Sequence, residues 1–253
     1  MQICNRPFIL LQETNSTNSY LKELNCTKQL KEGTVVQTLF QTAGRGQAGN
    51  YWESEQGKNL TFSLILYPAQ IPVSNQFLLS QIVSLAIYDV LSEEASGISI
   101  KWPNDIYYKD SKICGILIEQ EITGTEISSS IIGIGVNVNQ MEFKSNAPNP
   151  ISLQQITGKS YELFPLLERI IARILQLYEH EEAFHIISRY KKCLYHRDGF
   201  YSFRDKDGIF SATIIDVEDK GSLVLETSAG ERRQYLFKEV SFIHQNKSNT
   251  NCV

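Results

Sequence analysis

Cysteine is scarce in this chain and follows no pattern. The five residues, Cys4, Cys26, Cys114, Cys193 and Cys252, are odd in number, widely spread and include no C-x-x-C pair. That disfavours a disulfide framework and a structural zinc site, and suits a reducing cytoplasm. The four histidines add no metal signal: His180 and His185 stand five apart on an expected helix, which turns them to different faces. Basic residues form no stripe, and 24 lysines and arginines stand against 28 aspartates and glutamates, a net charge of −4. A nucleic-acid surface, which needs such a stripe to meet phosphate, has no support. No apolar stretch is long enough to span a bilayer, and MQICNRPFILLQE lacks the apolar core of a signal peptide. The expectation is a cytoplasmic protein with neither membrane nor nucleic acid as partner.

Glycine and proline are also few, 15 and 7 of 253 residues, which leaves little room for a long disordered region. Only residues 245–253 read as a loose polar tail. What is present is apolar material, 42% of the chain, enough for a substantial core in one large domain or a large one with a small one.

Periodicity assigns most of that material. Residues 34–42 and 59–67 (NLTFSLILY) read as strands, the second stopped by Pro68. Phe77, Leu78, Ile82, Leu85, Ala86 and Leu91 recur at helical spacing and predict a helix over 74–95 with Ser74 as N-cap. Strands follow at 98–102 and 113–121 with a turn at 109–111, and 130–138 (SIIGIGVNV) reads as a buried strand. Leu163, Leu166, Leu167, Ile170, Ile171, Ile174, Leu175 and Tyr178 predict the longest helix, 161–184. From Gly199 short strands alternate with turn signals at Asp207-Gly208, Asp219-Lys220-Gly221 and Ala229-Gly230. A domain boundary is expected near Arg197, with a small β-barrel after it. No internal repeat is present.

Several motifs carry polar chemistry, each with a plainer reading beside it. Gly44-Arg45-Gly46-Gln47-Ala48-Gly49 matches G-x-G-x-x-G, but no apolar helix follows, so a dinucleotide-binding βαβ unit is excluded. The kinase signatures H-R-D and D-F-G are absent. A glycine loop with one cation, Arg45, remains; it suits an anion, and equally an ordinary surface loop. Lys101-Trp102-Pro103-Asn104-Asp105 ends a strand with a cation, an aromatic held extended by the proline, and two polar groups that would also make an Asx turn. Lys112 opens the next strand, where a lysine is ordinarily solvated. Gly133-Ile134-Gly135-Val136-Asn137-Val138-Asn139 places two glycines in a buried strand, a cost unless a ligand or another element approaches closely. Ser16-Thr17-Asn18 precedes Tyr20, Leu21 and Leu24 at helical spacing, and reads as a cap, a ligand-binding group, or both.

In chain order, Ser16-Thr17-Asn18, Gln41-Thr42-Ala43-Gly44-Arg45-Gly46, Trp52, Lys101-Trp102-Pro103-Asn104-Asp105, Lys112-Ile113-Cys114-Gly115-Ile116-Leu117 and Gly133-Ile134-Gly135-Val136-Asn137 together resemble the biotin protein ligase family. The resemblance spans nearly its whole catalytic domain, and the stretch from about Gly199 is similar to its small C-terminal barrel. It implies an α+β fold related to class II synthetases and lipoate ligases, with a mixed sheet and helices over 1–196 and an SH3-like β-barrel over 197–253.

The resemblance also implies two half-reactions. The carboxylate of biotin attacks the α-phosphate of MgATP, giving biotinyl-5'-AMP and pyrophosphate. The ε-amine of a lysine on a biotin carboxyl carrier domain, of acetyl-CoA carboxylase type, then attacks the mixed anhydride and releases AMP. By position, Ser16, Thr17, Asn18 and Gln41 would bind biotin with the backbone of Gly115 and Leu117. Gly44, Arg45, Gly46 and Gln47 would close over biotin and the adenylate, and Trp52 would pack on adenine. Asn104 and Asn137 would lie near the phosphates and Mg²⁺. Lys112 would bridge the biotin carboxylate and the α-phosphate, and Asp105 would accept the proton of the incoming lysine. Arg45, Lys101 and Lys112 would offset the repulsion of the two anions.

Two departures matter. Gln47 and Asn50 stand where many relatives carry arginine, so a weaker hold on the adenylate and its faster release are expected. No room precedes Ser16 for a helix-turn-helix domain, so a ligase without DNA binding is expected. A lipoate or octanoyl ligase, or a biotin or adenylate sensor without catalysis, are the rivals. The K-W-P-N-D segment and the C-terminal barrel favour biotin, and Arg45, Lys112 and Asp105 favour catalysis. Both monomer and homodimer remain open.

Overall fold

The computed structural model describes residues 1–145 and 148–243; the tail expected at 245–253 lies outside them. Its larger part is an eight-stranded sheet built from β1 (Gln2–Ile3), β2 (Arg6–Thr14), β3 (Val35–Gln41), β4 (Leu60–Leu66), β5 (Ile98–Lys101), β6 (Asp105–Tyr108), β7 (Ser111–Thr123) and β8 (Glu126–Val136). The order is β1-β2-β3-β4-β8-β7-β6-β5, with β2 and β3 parallel and the other neighbours antiparallel. This is the mixed sheet of an α+β fold.

The two faces of the sheet differ. On β4, Leu60, Phe62, Leu64 and Leu66 enter the main core with Ile132, Ile134 and Val136 of β8. Helices α2 (Phe77–Glu94), α4 (Leu163–His180) and α5 (Ala183–Lys192) supply the apolar side chains of that core. Asp89 of α2 clamps the three together, accepting from Arg173 at 2.6 and 2.8 Å and from Arg189 at 2.7 and 2.9 Å. The opposite face is covered only in part. There α1 (Thr17–Lys28) lays Leu21 against Val36, Ile65 and Ile131. Beyond those contacts the same face carries Thr61, Ser63, Gly133 and Gly135, set side by side by the pairs Thr61↔Gly135 and Ser63↔Gly133. Strand alternation thus leaves a polar and glycine-rich patch where the helical cover stops.

Several elements depart from expectation. The helix expected from Ser74 starts at Phe77, because a 3-10 turn at Val73–Asn75 follows Pro72; the Ser74 hydroxyl bonds Asn75 Oδ1 at 3.1 Å and caps nothing. The helix expected over 161–184 is two helices, since Glu181 and Glu182 are extended, and His180 and His185 fall on different ones. Strand β6 lies in the stretch left unassigned between the strands expected at 98–102 and 113–121, and β2, next to the short edge strand β1, has no regular apolar alternation to announce it. A short helix, α3 (Leu153–Thr157), closed by a Ser152–Gln155 capping box, was also not expected.

The C-terminal stretch forms β9 (Tyr201–Asp205), β10 (Gly208–Val217), β11 (Leu223–Thr227), β12 (Arg232–Tyr235) and β13 (Ser241–Phe242), an antiparallel sheet in the order β12-β11-β10-β9-β13. Its turns fall at the three glycine-bearing signals. Among the described residues these five strands form one sheet in that order, with β12 and β13 at its ends. Phe203, Leu223, Leu225 and Phe242 join the same core as α2 and β5. Among the described residues no helix is long and apolar enough to cross a membrane.

Candidate active site

The glycine patch is the floor of a cleft of about 750 Å³. Three glycines make it, brought together by the pairs Gly115↔Gly135 and Leu117↔Gly133 between β7 and β8. Each has a steric reason. A Cβ on Gly115 would stand 2.8 Å from Trp52 Cζ3, one on Gly135 would overlap the same indole, and one on Gly133 would overlap the Asn18 amide. The buried-strand glycines therefore receive side chains from a loop and from α1. Above them Trp52 lies flat on the floor, its Nε1 buried without a partner.

One end of the cleft is a buried polar nest. Ser16, Thr17, Asn18 and Gln41 are each at most 8% exposed and face the cavity. Ser16 holds the N-cap position of α1 but its side chain makes no capping bond, so the plain capping reading does not account for it. Thr17 donates to Gln41 Oε1 from its backbone at 2.9 Å and its hydroxyl at 3.3 Å. Asn18 donates to Leu117 O at 3.3 Å and to Glu119 Oε2 at 2.7 Å. Ser63 joins them, its Oγ 2.7 Å from Thr17 Oγ1 and 2.6 Å from Asn18 Oδ1. Such groups must be matched by hydrogen bonds to be stable away from water, and they offer donors and acceptors to a small polar ring.

The other end is ionic. Lys112 Nζ is 2.6 Å from Asp105 Oδ2, both side chains under a third exposed. Lys112 reaches the cleft because the register between β6 and β7 slips: Ile106 faces Cys114 and Tyr107 faces Lys112, leaving Ile113 as an extra residue. The bulge puts Lys112 on the side of Gly115 despite the odd spacing between them. Lys101 donates to the Tyr107 hydroxyl at 3.1 Å and sits 4.7 Å from that ring's centre. Burial holds its ammonium below the ordinary lysine pKa; Asp105 pulls it up and Lys112 pushes it further down. Asn137, just past β8, is 2% exposed, and its Oδ1 is buried with no partner. Asn104 Oδ1 accepts from Gln47 at 3.5 Å.

One family model, that of the biotin/lipoate A/B protein ligase family, matches residues 10–137. This chain belongs to that family. The matched span carries all three floor glycines and the Asp105–Lys112 pair. The Bifunctional ligase/repressor BirA of Bacillus subtilis is 33% identical over 246 residues, 87% of this chain and 70% of that protein. The Biotin--[acetyl-CoA-carboxylase] ligase of Paracoccus denitrificans is 33% identical over 174 residues, 65% of this chain and 71% of that one. The biotin protein ligase of Aquifex aeolicus, solved in complex with biotin and ATP, superposes with a TM-score of 0.77 at 27% identity, covering 94% of this chain and 99% of that one.

Within this biotin/lipoate ligase, nearly every residue singled out in the sequence lines the cleft: Ser16, Thr17, Asn18, Gln41, Arg45, Gly46, Gln47, Trp52, Lys101, Asn104, Asp105, Lys112, Gly115, Leu117 and Asn137. Gly44 is set back, packed where a Cβ would meet Trp52 O at 2.5 Å. Arg45 is engaged elsewhere, its guanidinium forked onto Glu119. Some contributors went unnoticed. Ser63 was visible as a polar residue on the inner face of an apolar strand. Glu119 looked like any charged strand residue. Phe237 and Lys238 arrive from the C-terminal sheet, where Phe237 packs edge-on to Trp102 at 6.0 Å.

Proposed function

We propose that this chain is an ATP-dependent ligase that activates biotin as biotinyl-5'-AMP and transfers it to a lysine of a biotin carboxyl carrier domain. The observation that carries this reading is the cleft's polarity along one floor. The nest at Gly133 is separated from the ionic group at Asn137 by four residues of strand, roughly 13 Å, about the length of a ring and its acyl chain. Ser16, Thr17, Asn18, Gln41 and the backbone near Leu117 then hold the ureido ring, and Gly44, Gly46 and Gln47 fold over the chain. The carboxylate ends beside Lys112, and Trp52 offers its face to adenine.

Lys112 and Asp105 change partners during the reaction. Before substrates arrive the two charges satisfy each other at 2.6 Å. A biotin carboxylate and an α-phosphate entering together repel, and the Lys112 ammonium between them lowers that cost and the charge of the transition state. Once Lys112 has turned to the substrates, Asp105 is left as the free carboxylate that accepts the proton of the carrier lysine. Trp52 and the loop above it keep water from the mixed anhydride.

Magnesium enters with the nucleotide. Among the described residues no cluster of three His, Cys, Asp or Glu exists to hold a metal alone. The orphaned, buried Oδ1 of Asn137 is a hard oxygen suited to the ion, and Asn104 lines the same cleft; bound there, Mg²⁺ would neutralise phosphate charge. The C-terminal strands, 197–253 by our division, read as a small SH3-like barrel module that lends Phe237 and Lys238 to the nucleotide end. The 1–196 segment is then the catalytic unit.

The test mixes the protein with MgATP, biotin and a carrier domain, with lipoate in a parallel tube, and reads intact mass. One added biotin is expected. Lipoate addition alone would place the chain with the sister branch of its family, and no addition would leave a sensor. A second expected result concerns Lys101. Its lowered pKa means that its charge is lost at lower pH than for an ordinary lysine, near 10.4. The kcat/KM for ATP should therefore fall with rising pH through one ionisation below that value. Lys101→Arg should move this limb upward; an unmoved limb would exclude Lys101 from phosphate binding.

A further inference from the structure

We propose that Glu119 is a positioning residue that latches the glycine loop shut through Arg45, so that Arg45 anchors the loop and does not serve as a ligand of the phosphate. Arg45 Nη1 lies 3.1 Å from Glu119 Oε1 and Nη2 lies 2.9 Å from Oε2, the two-bond fork that fixes a guanidinium in direction as well as distance. A guanidinium held this way has its charge offset and its donor edge occupied.

Place along the strand decides between the two roles. Glu119 follows Gly115 and Leu117 on the same face of β7 and stands seven residues from Lys112, roughly 20 Å of strand. The cation pinned there is at the nest end of the cleft, far from the ionic end where a phosphate would lie. Glu119 also receives Asn18 at 2.7 Å, so one carboxylate fixes both the nest and the loop.

The loop needs such an anchor. It is a hairpin tied to itself by Gly46 N to Asn50 O at 2.7 Å and Trp52 N to Gly44 O at 2.9 Å. Its root is held by Thr42 N and Ala43 N on Thr14 O and Asn15 O. Beyond those, the described side-chain ties of the loop to the body include the Arg45 pair, the long Gln47–Asn104 contact at 3.5 Å, and the Trp52 ring on the glycine floor with Lys112 Nζ 5.8 Å from its centre. Arg45 is the sole cation between Thr42 and Trp52, since Gln47 and Asn50 are uncharged. When the latch opens, the hairpin and the Trp52 indole that it carries leave the glycine floor together.

The prediction rests in part on the ligase reading, so it is tested first where no catalysis is needed. Hydrogen exchange of residues 44–52 is measured in the ligand-free full chain, for wild type, Glu119→Gln, Arg45→Gln and the double variant. Each single variant should exchange roughly five-fold faster, the scale of a half-exposed ion pair, and the double no faster than either. High salt should speed the wild type towards the variants. With biotin and MgATP, Glu119→Gln should release the adenylate faster by the same factor. Additive exchange effects, or unchanged exchange in Glu119→Gln, overturn the latch. So does Arg45→Gln slowing adenylate formation by about a hundred-fold when Glu119→Gln does not, since that marks a direct ligand. A wild type that forms no adenylate defeats the ligase reading, while the exchange data still judge the latch.

Discussion

Lys112→Ala should stop biotin addition to the carrier and slow pyrophosphate release by about a thousand-fold. The size follows from where the side chain sits. It is a cation at the ionic end of the glycine floor, 2.6 Å from Asp105 and beside Asn137, with less than a third of its surface open to water. Two anions must meet there, and field strength in a half-buried cleft exceeds that in bulk solvent. Removing the ammonium also leaves the Asp105 carboxylate without its partner, which adds a repulsive charge to the one already lost. The Lys112→Ala, Asp105→Asn double variant should therefore recover part of the adenylate formation that the single variant loses. Folding should suffer little, since a pair still partly open to water contributes about 1 kcal/mol. Pyrophosphate release within ten-fold of wild type in Lys112→Ala would remove Lys112 from its central role.

Asp105→Asn should separate the two half-reactions. Asparagine keeps an oxygen for Lys112 but cannot accept a proton, so adenylate should form within a few-fold of the normal rate. Transfer to the carrier should fall by about a hundred-fold, the usual worth of a placed base. The pH dependence carries the sign. The carrier lysine is protonated at neutral pH, with an ordinary pKa near 10.4, and each unit by which pH rises towards that value raises its neutral fraction roughly ten-fold. The deficit of Asp105→Asn should shrink as pH rises, because the nucleophile then deprotonates without help. Single-turnover transfer from preformed adenylate, followed by rapid quench across pH, measures this. Equal slowing of both half-reactions, independent of pH, would reduce Asp105 to a holder of Lys112.

Much of the site was legible as residue types in order, because its groups sit at strand ends, on loops and at the start of a helix, where local chemistry is written plainly. Ser16-Thr17-Asn18 before a helix, the glycine loop with Arg45, and Asn104-Asp105 after a strand are all local signals. Glu119 was not legible: its meaning comes from Arg45, 74 residues earlier in the chain. Phe237 and Lys238 reach the cleft only because the C-terminal sheet docks on Trp102, whose Nε1 donates to Gly221 O at 2.8 Å.

Local periodicity determined the apolar strands, the long helices, the absence of a dinucleotide fold and the change of character after Gly199. These depend on a residue's near neighbours, and a 2.0 or 3.6 repeat is readable without partners. Tertiary structure decided the rest. The bulge at Ile113 turns Lys112 into the cleft, and the β4–β8–β7 register aligns Ser63, Gly133 and Leu117 under Asn18. The Trp52 indole then settles on Gly115 and Gly135. Register and docking depend on which distant segments pack together, and a pattern of near neighbours holds no record of that choice.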